Sequence, residues 1–575
     1  MAKVQTADAG AIPRTWVPQL HWGLWLMIFL IGSMGFYIIY PLILILINSF
    51  NIATIAEPPV YGLQAWRDAF SDPGVWRSLW NTIRIAFVNQ AINFPVGVLI
   101  AWTLARTNVP FAHGFEFLFW ISFMLPSLAV TFGWILLLDP NTGLINIGLR
   151  DLIGVMPFDI YSFWGIIWVH AISGIDTKVI LLTPAFRRMD SSMEEASRMS
   201  GASNLVTMFR VTLPVMTPAL VVVLLLSLVR LFESFEIELL LGVPWGFYVY
   251  STKIVDLARM EPPLVNQAAA LGSIILLLLA IIIPLQRRLI HGRQFTTVTG
   301  QFKSKLIDLG RWRHTAAALL SLIILLAVVI PILSVAGGSL MVRFGFFNLP
   351  RTWTLEYWYM AFSDPRLLLA LKNTLIIAGS AALVGPFLFS LIAYILVRTK
   401  LPGRSILDSV CWLPSAIPGV LAGLGLLWLF LGTPVFRPFY GTLFLLMIAS
   451  VMGGVTLATQ IFKANFVQLG NELEEASRMS GAGFWRTYFK IVLPLMAQTM
   501  VLIAVLKFLF AARSASSIIL LATSESRTLA LLALDQIAAG YREAASITVL
   551  LVVVLTTGLA LIARFFGFKL GLRTE

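Results

Sequence analysis

The sequence predicts an all-α membrane protein of twelve spanning helices, arranged as two parallel six-helix repeats, and three observations predict it. Of 575 residues, 58% are hydrophobic and only 12% charged, about half the charged share of an ordinary soluble domain. Twelve apolar runs are each long enough to cross a hydrocarbon core that takes about 20 residues of helix. The nine residues EEASRMSGA begin at Glu194 and again at Glu474.

In chain order the apolar runs cover 24–48, 82–105, 115–138, 162–184, 215–240, 268–286, 315–339, 373–397, 407–431, 438–461, 495–521 and 545–566. The first follows a polar start with Lys3, Asp8 and Arg14. It exceeds a signal-peptide core and lacks a small-x-small cleavage pattern, so it is expected to stay as an anchor. Cys411 is the single cysteine and lies in an apolar run, which excludes an internal disulfide and suits a small packed side chain.

The net charge of +13 would suit nucleic acid, but basic residues held on the cytoplasmic side of a membrane give the same excess. Their distribution decides. Arg187, Arg188, Arg198 and Arg210 share one loop, and more Lys and Arg fall between Arg287 and Arg313. Opposite loops carry acids such as Asp68, Asp72, Asp256 and Glu261. Both termini are therefore expected in the cytoplasm, with no nucleic-acid partner.

Three further landmarks recur. AFSDP stands at Ala69–Pro73 and Ala361–Pro365, Asn-Thr at Asn81 and Asn373, and Arg-Thr at Arg106 and Arg398. Residues 1–286 and 315–575 are thus expected to be two copies of one six-helix unit, joined by a basic linker over 287–314. An even number of spans per copy puts both copies in the same orientation, about a pseudo-two-fold axis along the membrane normal. Each EEASRMSGA then faces the same side.

The two loops read EEASRMSGASNLVTMFRVTLPVM and EEASRMSGAGFWRTYFKIVLPLM. Glu194, Glu195 and Ala196 favour helix, Gly201 interrupts it, and Pro214 suits the first turn of the next span. The expected object is a helix, a glycine turn and a second helix, presenting small and acidic residues to a groove on a partner. A duplicated protein repeats its loops in any case, and an acidic helix can be a solvated face. Nine identical residues surviving where lipid-facing similarity is gone favour the docking reading.

This loop resembles the coupling loop of binding-protein-dependent importers of the ATP-binding-cassette class. The matching positions are Glu195, Ala196, Gly201, Leu213 and Pro214, and Glu475, Ala476, Gly481, Leu493 and Pro494. Ser197 and Ser477 replace the commoner alanine, and Ser200 and Ser480 a frequent aspartate. The linker TVTGQFKSKLIDLGRWRH and the stretch SFEIELLLGVP are similar to ferric-iron-type fused permeases. The resemblance implies a type I importer permease fold in a bacterial inner membrane, a cytoplasmic ATPase dimer, a periplasmic substrate-binding protein and alternating access. It implies ferric iron as the solute, with thiamine, polyamine or phosphonate importers built alike. No Gly precedes a Lys anywhere, so there is no GxxxxGK[ST] phosphate loop. ATP must act through another subunit; no catalysis, cofactor or resident metal is expected of this chain.

Ionisable residues within spans mark a pathway or a pair. The fifth run carries Arg230, Glu233, Glu236 and Glu238, with Glu233 and Glu236 expected on one helix face; the eleventh carries Lys507 and Arg513. The 280-residue offset sets Glu233 against Arg513, which suggests a gate between the halves. An Arg230–Glu233 pair within one helix, or snorkelling to the interface, explains the same residues. His170 is expected to be hydrogen-bonded, and Asp176 and Lys178 to face water or each other. Trp66, Trp76, Trp80, Trp353 and Trp358 belong to amphipathic segments at the lipid headgroups. Twelve spans in parallel repeats also describe secondary transporters; only the two acidic loops argue against one.

Overall fold

The computed structural model describes residues 17–53, 58–190, 192–277 and 306–565. Among them there is no strand, only isolated bridges. Among the described residues seven helices are long and apolar enough to cross a membrane, or up to eleven if each bent pair is one span. The sixth expected span appears as Val265–Leu277; its remainder and the linker up to residue 305 lie outside the described residues.

The second and eighth spans run much further than their apolar cores, over Pro73–Arg106 and Pro365–Arg398. The repeated AFSDP explains their start. Asp72 accepts the Gly74 N–H at 2.7 Å and Asp364 the Arg366 N–H at 2.8 Å. The following proline needs no donor at the first helical position.

Four spans are broken. Ala112–Met124 meets Ser127–Leu138 at 95°, Arg404–Ser415 meets Gly419–Gly432 at 113°, Leu443–Met452 meets Val455–Gln468 at 42°, and Phe484–Leu495 meets Ala497–Arg513 at 77°. Proline or glycine sits at the first three breaks, as Pro126, Pro418 and Gly453–Gly454, where helical hydrogen bonding lapses.

The fifth and eleventh spans end sooner than their apolar runs, at Phe232 and Arg513. Glu233 is the C-cap of one helix, and Glu236 begins a separate short helix, Glu236–Leu241. They do not share a helix face, contrary to expectation. A continuous helix would carry four ionisable residues through apolar surroundings, whereas the break gives Glu236 and Glu238 polar partners.

The halves exchange their first spans. The helix Val17–Asn48 packs on Gly419–Gly432 of the second half, and Ile330–Ser339 of the seventh span packs on Ser127–Leu138 of the first. Each crossing is a glycine against a proline. A Cβ on Gly133 would lie 2.7 Å from the Pro331 carbonyl oxygen, and one on Gly425 would lie 2.9 Å from that of Pro41. Small residues allow such backbone approach between apolar helices. A core drawn from both halves follows, including Phe132, Trp134, Leu424 and Trp428.

Candidate functional site

EEASRMSGA forms the same object twice. Ser192–Met199 and Glu472–Met479 are short helices, ended by Gly201 at φ +84° and Gly481 at φ +80°, a conformation that costs glycine nothing. Ser197 bridges to Thr207 at 3.0 Å, and Ser477 to Thr487 at 2.9 Å. In the first copy the second short helix does not stand apart as expected but continues into the next span through a π turn in which the Leu213 N–H bonds the Met208 carbonyl. In the second copy the same π turn, with the Leu493 N–H on the Tyr488 carbonyl, is followed by the 77° bend before Ala497–Arg513, so the short helix is set apart. Pro214 and Pro494 supply no N–H to the tighter ladder, which favours the widened turn.

On the outer side, Ala196, Glu475, Ala476 and both turn glycines are exposed, while Glu195 is half-buried. Met199 and Met479 are 90% and 89% exposed. A flexible apolar side chain at each tip, beside small residues and carboxylates, suits an adaptable partner groove.

Glu194 and Glu474 point the other way. Glu194 forms a wholly buried ion pair with Arg106 and accepts from Thr212 at 2.6 Å. Glu474 lies 3.2 Å from Arg398 Nε and accepts from Tyr394 at 2.9 Å. The repeated Arg-Thr landmark therefore hangs each knob from the end of the second or eighth span. Sequence reasoning missed this role, although the recurrence of both partners was its signal. The Asn-Thr landmark is likewise an anchor. Asn81 donates to the Tyr248 carbonyl and Thr82 accepts the Tyr250 N–H, while Asn373 donates to the Glu525 and Arg527 carbonyls and Thr374 accepts the Leu529 N–H.

The charges of the fifth and eleventh spans meet where the halves join. Arg513 donates to the carbonyls of Phe123 at 2.8 Å and Leu125 at 3.3 Å, at the break of the third span. Arg230 donates to Thr177 at 3.3 Å. Glu236 accepts from Ser127 at 2.6 Å. Among the described residues no ion pair joins Glu233 to Arg513 or to Arg230. The expected Glu233–Arg513 contact is absent from this conformation; Arg513 Nη1 instead serves carbonyls left open at the break of the third span.

The model of the family described as binding-protein-dependent transport system inner membrane component matches this chain twice, over 93–296 and 386–571. The chain belongs to that family. It is a fused two-half permease. A putative ferric transport system permease protein of Haemophilus influenzae is 26% identical over 511 residues, covering 86% of this chain and 77% of the relative. A ferric transport system permease protein of Actinobacillus pleuropneumoniae is 26% identical over 552 residues, covering 93% and 76%. A sulfate transport system permease protein of Escherichia coli is 32% identical over 165 residues, covering 27% of this chain and 58% of the relative.

Two more buried clusters brace the permease. His170 Nε2 lies 2.7 Å from Glu238 Oε1, and Ser234 donates to the other carboxylate oxygen at 2.6 Å, so the histidine is hydrogen-bonded as expected. Lys507 donates to the carbonyls of Ser450 at 2.9 Å, Val451 at 2.8 Å and Gly453, closing the end of the broken tenth span. Asp176 and Lys178 are both buried rather than wet. Among the described residues no three His, Cys, Asp or Glu side chains gather as metal ligands.

Proposed function

We propose that this permease passes ferric iron from a periplasmic binding protein to the cytoplasm, driven by a separate ATPase dimer. The observation carrying the proposal is the pair of equivalent knobs, each hung from a membrane span by a buried Arg–Glu contact. One ATPase subunit grips Glu195, Ala196 and Gly201, and the other grips Glu475, Ala476 and Gly481. Leu213–Pro214 and Leu493–Pro494 carry the pull into the spans. Closure of the ATPase on ATP brings the knobs together and shifts the population from an inward-open to an outward-open state. Residues 1–286 and 315–575 are the two moving halves, 287–314 tie them, and both termini are cytoplasmic. Arg230, Glu233, Glu236 and Arg513 line the pathway where the halves meet. The names of the two long relatives support iron; the shorter sulfate relative favours a second reading, an oxyanion solute.

The test is reconstitution with the cognate ATPase and binding protein. Uptake of radioactive iron should need ATP and survive collapse of the proton gradient. Replacing Glu195→Arg together with Glu475→Arg should cut ATPase copurification by about tenfold or more, the scale of losing roughly 1.4 kcal/mol of binding. Uptake that follows the proton gradient and ignores ATP establishes a secondary transporter instead.

A further inference from the structure

Arg230 and Arg513 come from symmetry-related ends of the fifth and eleventh spans, yet both approach one ring. Their guanidinium carbons lie 5.8 and 5.7 Å from the centre of Phe123, beside the break of the third span. A ring face steadies such a planar cation. Each guanidinium has five N–H donors. Arg230 uses one on Thr177, and Arg513 uses Nη1 on two carbonyls. Among the described residues no carboxylate lies within 4.0 Å of either. Arg230 is exposed and Arg513 half-buried, and these contacts leave each with donors to spare.

Two like charges held beside Phe123, with Arg513 nearer still to Phe510 at 4.9 Å, repel each other, and a bound anion relieves that repulsion. A guanidinium fork matches the two oxygens of a carboxylate, phosphate or sulfate group. From this geometry we propose that Arg230, Phe123 and Arg513 form an intramembrane binding site for an oxyanion. The anion is either the solute itself or the ligand shell of a ferric ion. The inference rests on the transport reading above and deepens it. A bare trivalent cation meets two guanidiniums here, and no three-ligand acidic cluster among the described residues replaces its water. An acidic surround acts on both cations across space, Glu236, held by Ser127, and Asp176 on Arg513, and Glu233 and Asp176 on Arg230. It limits the hold on the anion, as passage requires a site that releases what it captures.

The experiment uses the complete complex with its ATPase in nanodiscs, without nucleotide, and measures binding of radiolabelled sulfate, phosphate and ferric citrate. At least one probe should bind saturably. Arg230→Gln and Arg513→Gln should each weaken it by about tenfold, the worth of one charge-assisted contact, and Arg230→Lys should weaken it less. Binding of sulfate or phosphate alone identifies a free oxyanion, and binding of ferric citrate alone identifies a metal-bound one. Unchanged ATPase copurification shows that the variants fold. Equal binding of every probe by the parent and both glutamine variants overturns the site. If the parent still takes up iron with ATP in that case, the transport reading stands; if its uptake ignores ATP, that reading falls whatever the probes do.

Discussion

Arg106 and Glu194 form an ion pair from which solvent is wholly excluded, and it is the joint between the second span and the first knob. Removing one partner strands the other charge, a loss of about 3–5 kcal/mol where no rearrangement rescues it. Arg106→Met is therefore expected to lower the unfolding temperature in detergent and to abolish ATPase copurification. The double variant Arg106→Met with Glu194→Met should regain most of the stability without the coupling, since two apolar chains pack where two charges did. A single variant that melts with the parent would show the joint to be idle.

Gly481 sits at φ +80° with no atom near enough to meet a Cβ. Space is therefore not the constraint; the left-handed backbone is, at about 1–2 kcal/mol for an L side chain. Gly481→Ala should reduce ATP-driven uptake by fraying the turn that presents Ala476 and Met479. Gly481→Asn should be milder, because asparagine tolerates this conformation. Uptake rates in proteoliposomes check both, and equal rates for the two variants would rule out backbone strain as the cause.

The repeat was legible because identical letters recur, but the work of those letters was not. Glu194 and Glu195 are adjacent acids, and only the tertiary placement of Arg106 decides which one turns inward. The breaks at Leu125–Pro126 and Gly453–Gly454 lie within unbroken apolar runs, where hydropathy stays high on both sides. Pro126 and the paired glycines were the available signal. The expected Glu233–Arg513 contact followed from an offset, and an offset reports symmetry rather than distance. The exchange of first spans left no trace in composition, because one apolar helix face suits any other. Only the recurrence of Gly133 with Pro331 and Gly425 with Pro41 marks it.

At that exchange, backbone presses on glycine. A methyl group on Gly425 would lie 2.8 Å from the Pro41 Cβ and 2.9 Å from its carbonyl oxygen, and neither can rotate away. Gly425→Ala should cost about 1–3 kcal/mol, the usual penalty for overpacking. Gly432→Ala, with nothing near its Cβ site, serves as the control on the same helix. Thermal unfolding in detergent measures the difference; equal melting of the two variants would mean that the halves do not interlock here.

Lys507 and Arg513 lie on one helix, Ala497–Arg513, and each closes a broken span, the tenth in its own half and the third in the other. Carbonyls freed at a break inside lipid have no water to bond, and each left bare costs several kcal/mol. A cation at a helix C-terminus also meets the negative end of its dipole. Lys507→Met keeps the length and removes the donors, so it should destabilise the second half and increase amide exchange at Leu443–Met452. Lys507→Arg should preserve most of the protection, since a guanidinium still donates there, although Gly385 lies close against the lysine stem and leaves little room. Exchange unchanged in Lys507→Met would mean that the break of the tenth span is held by packing alone.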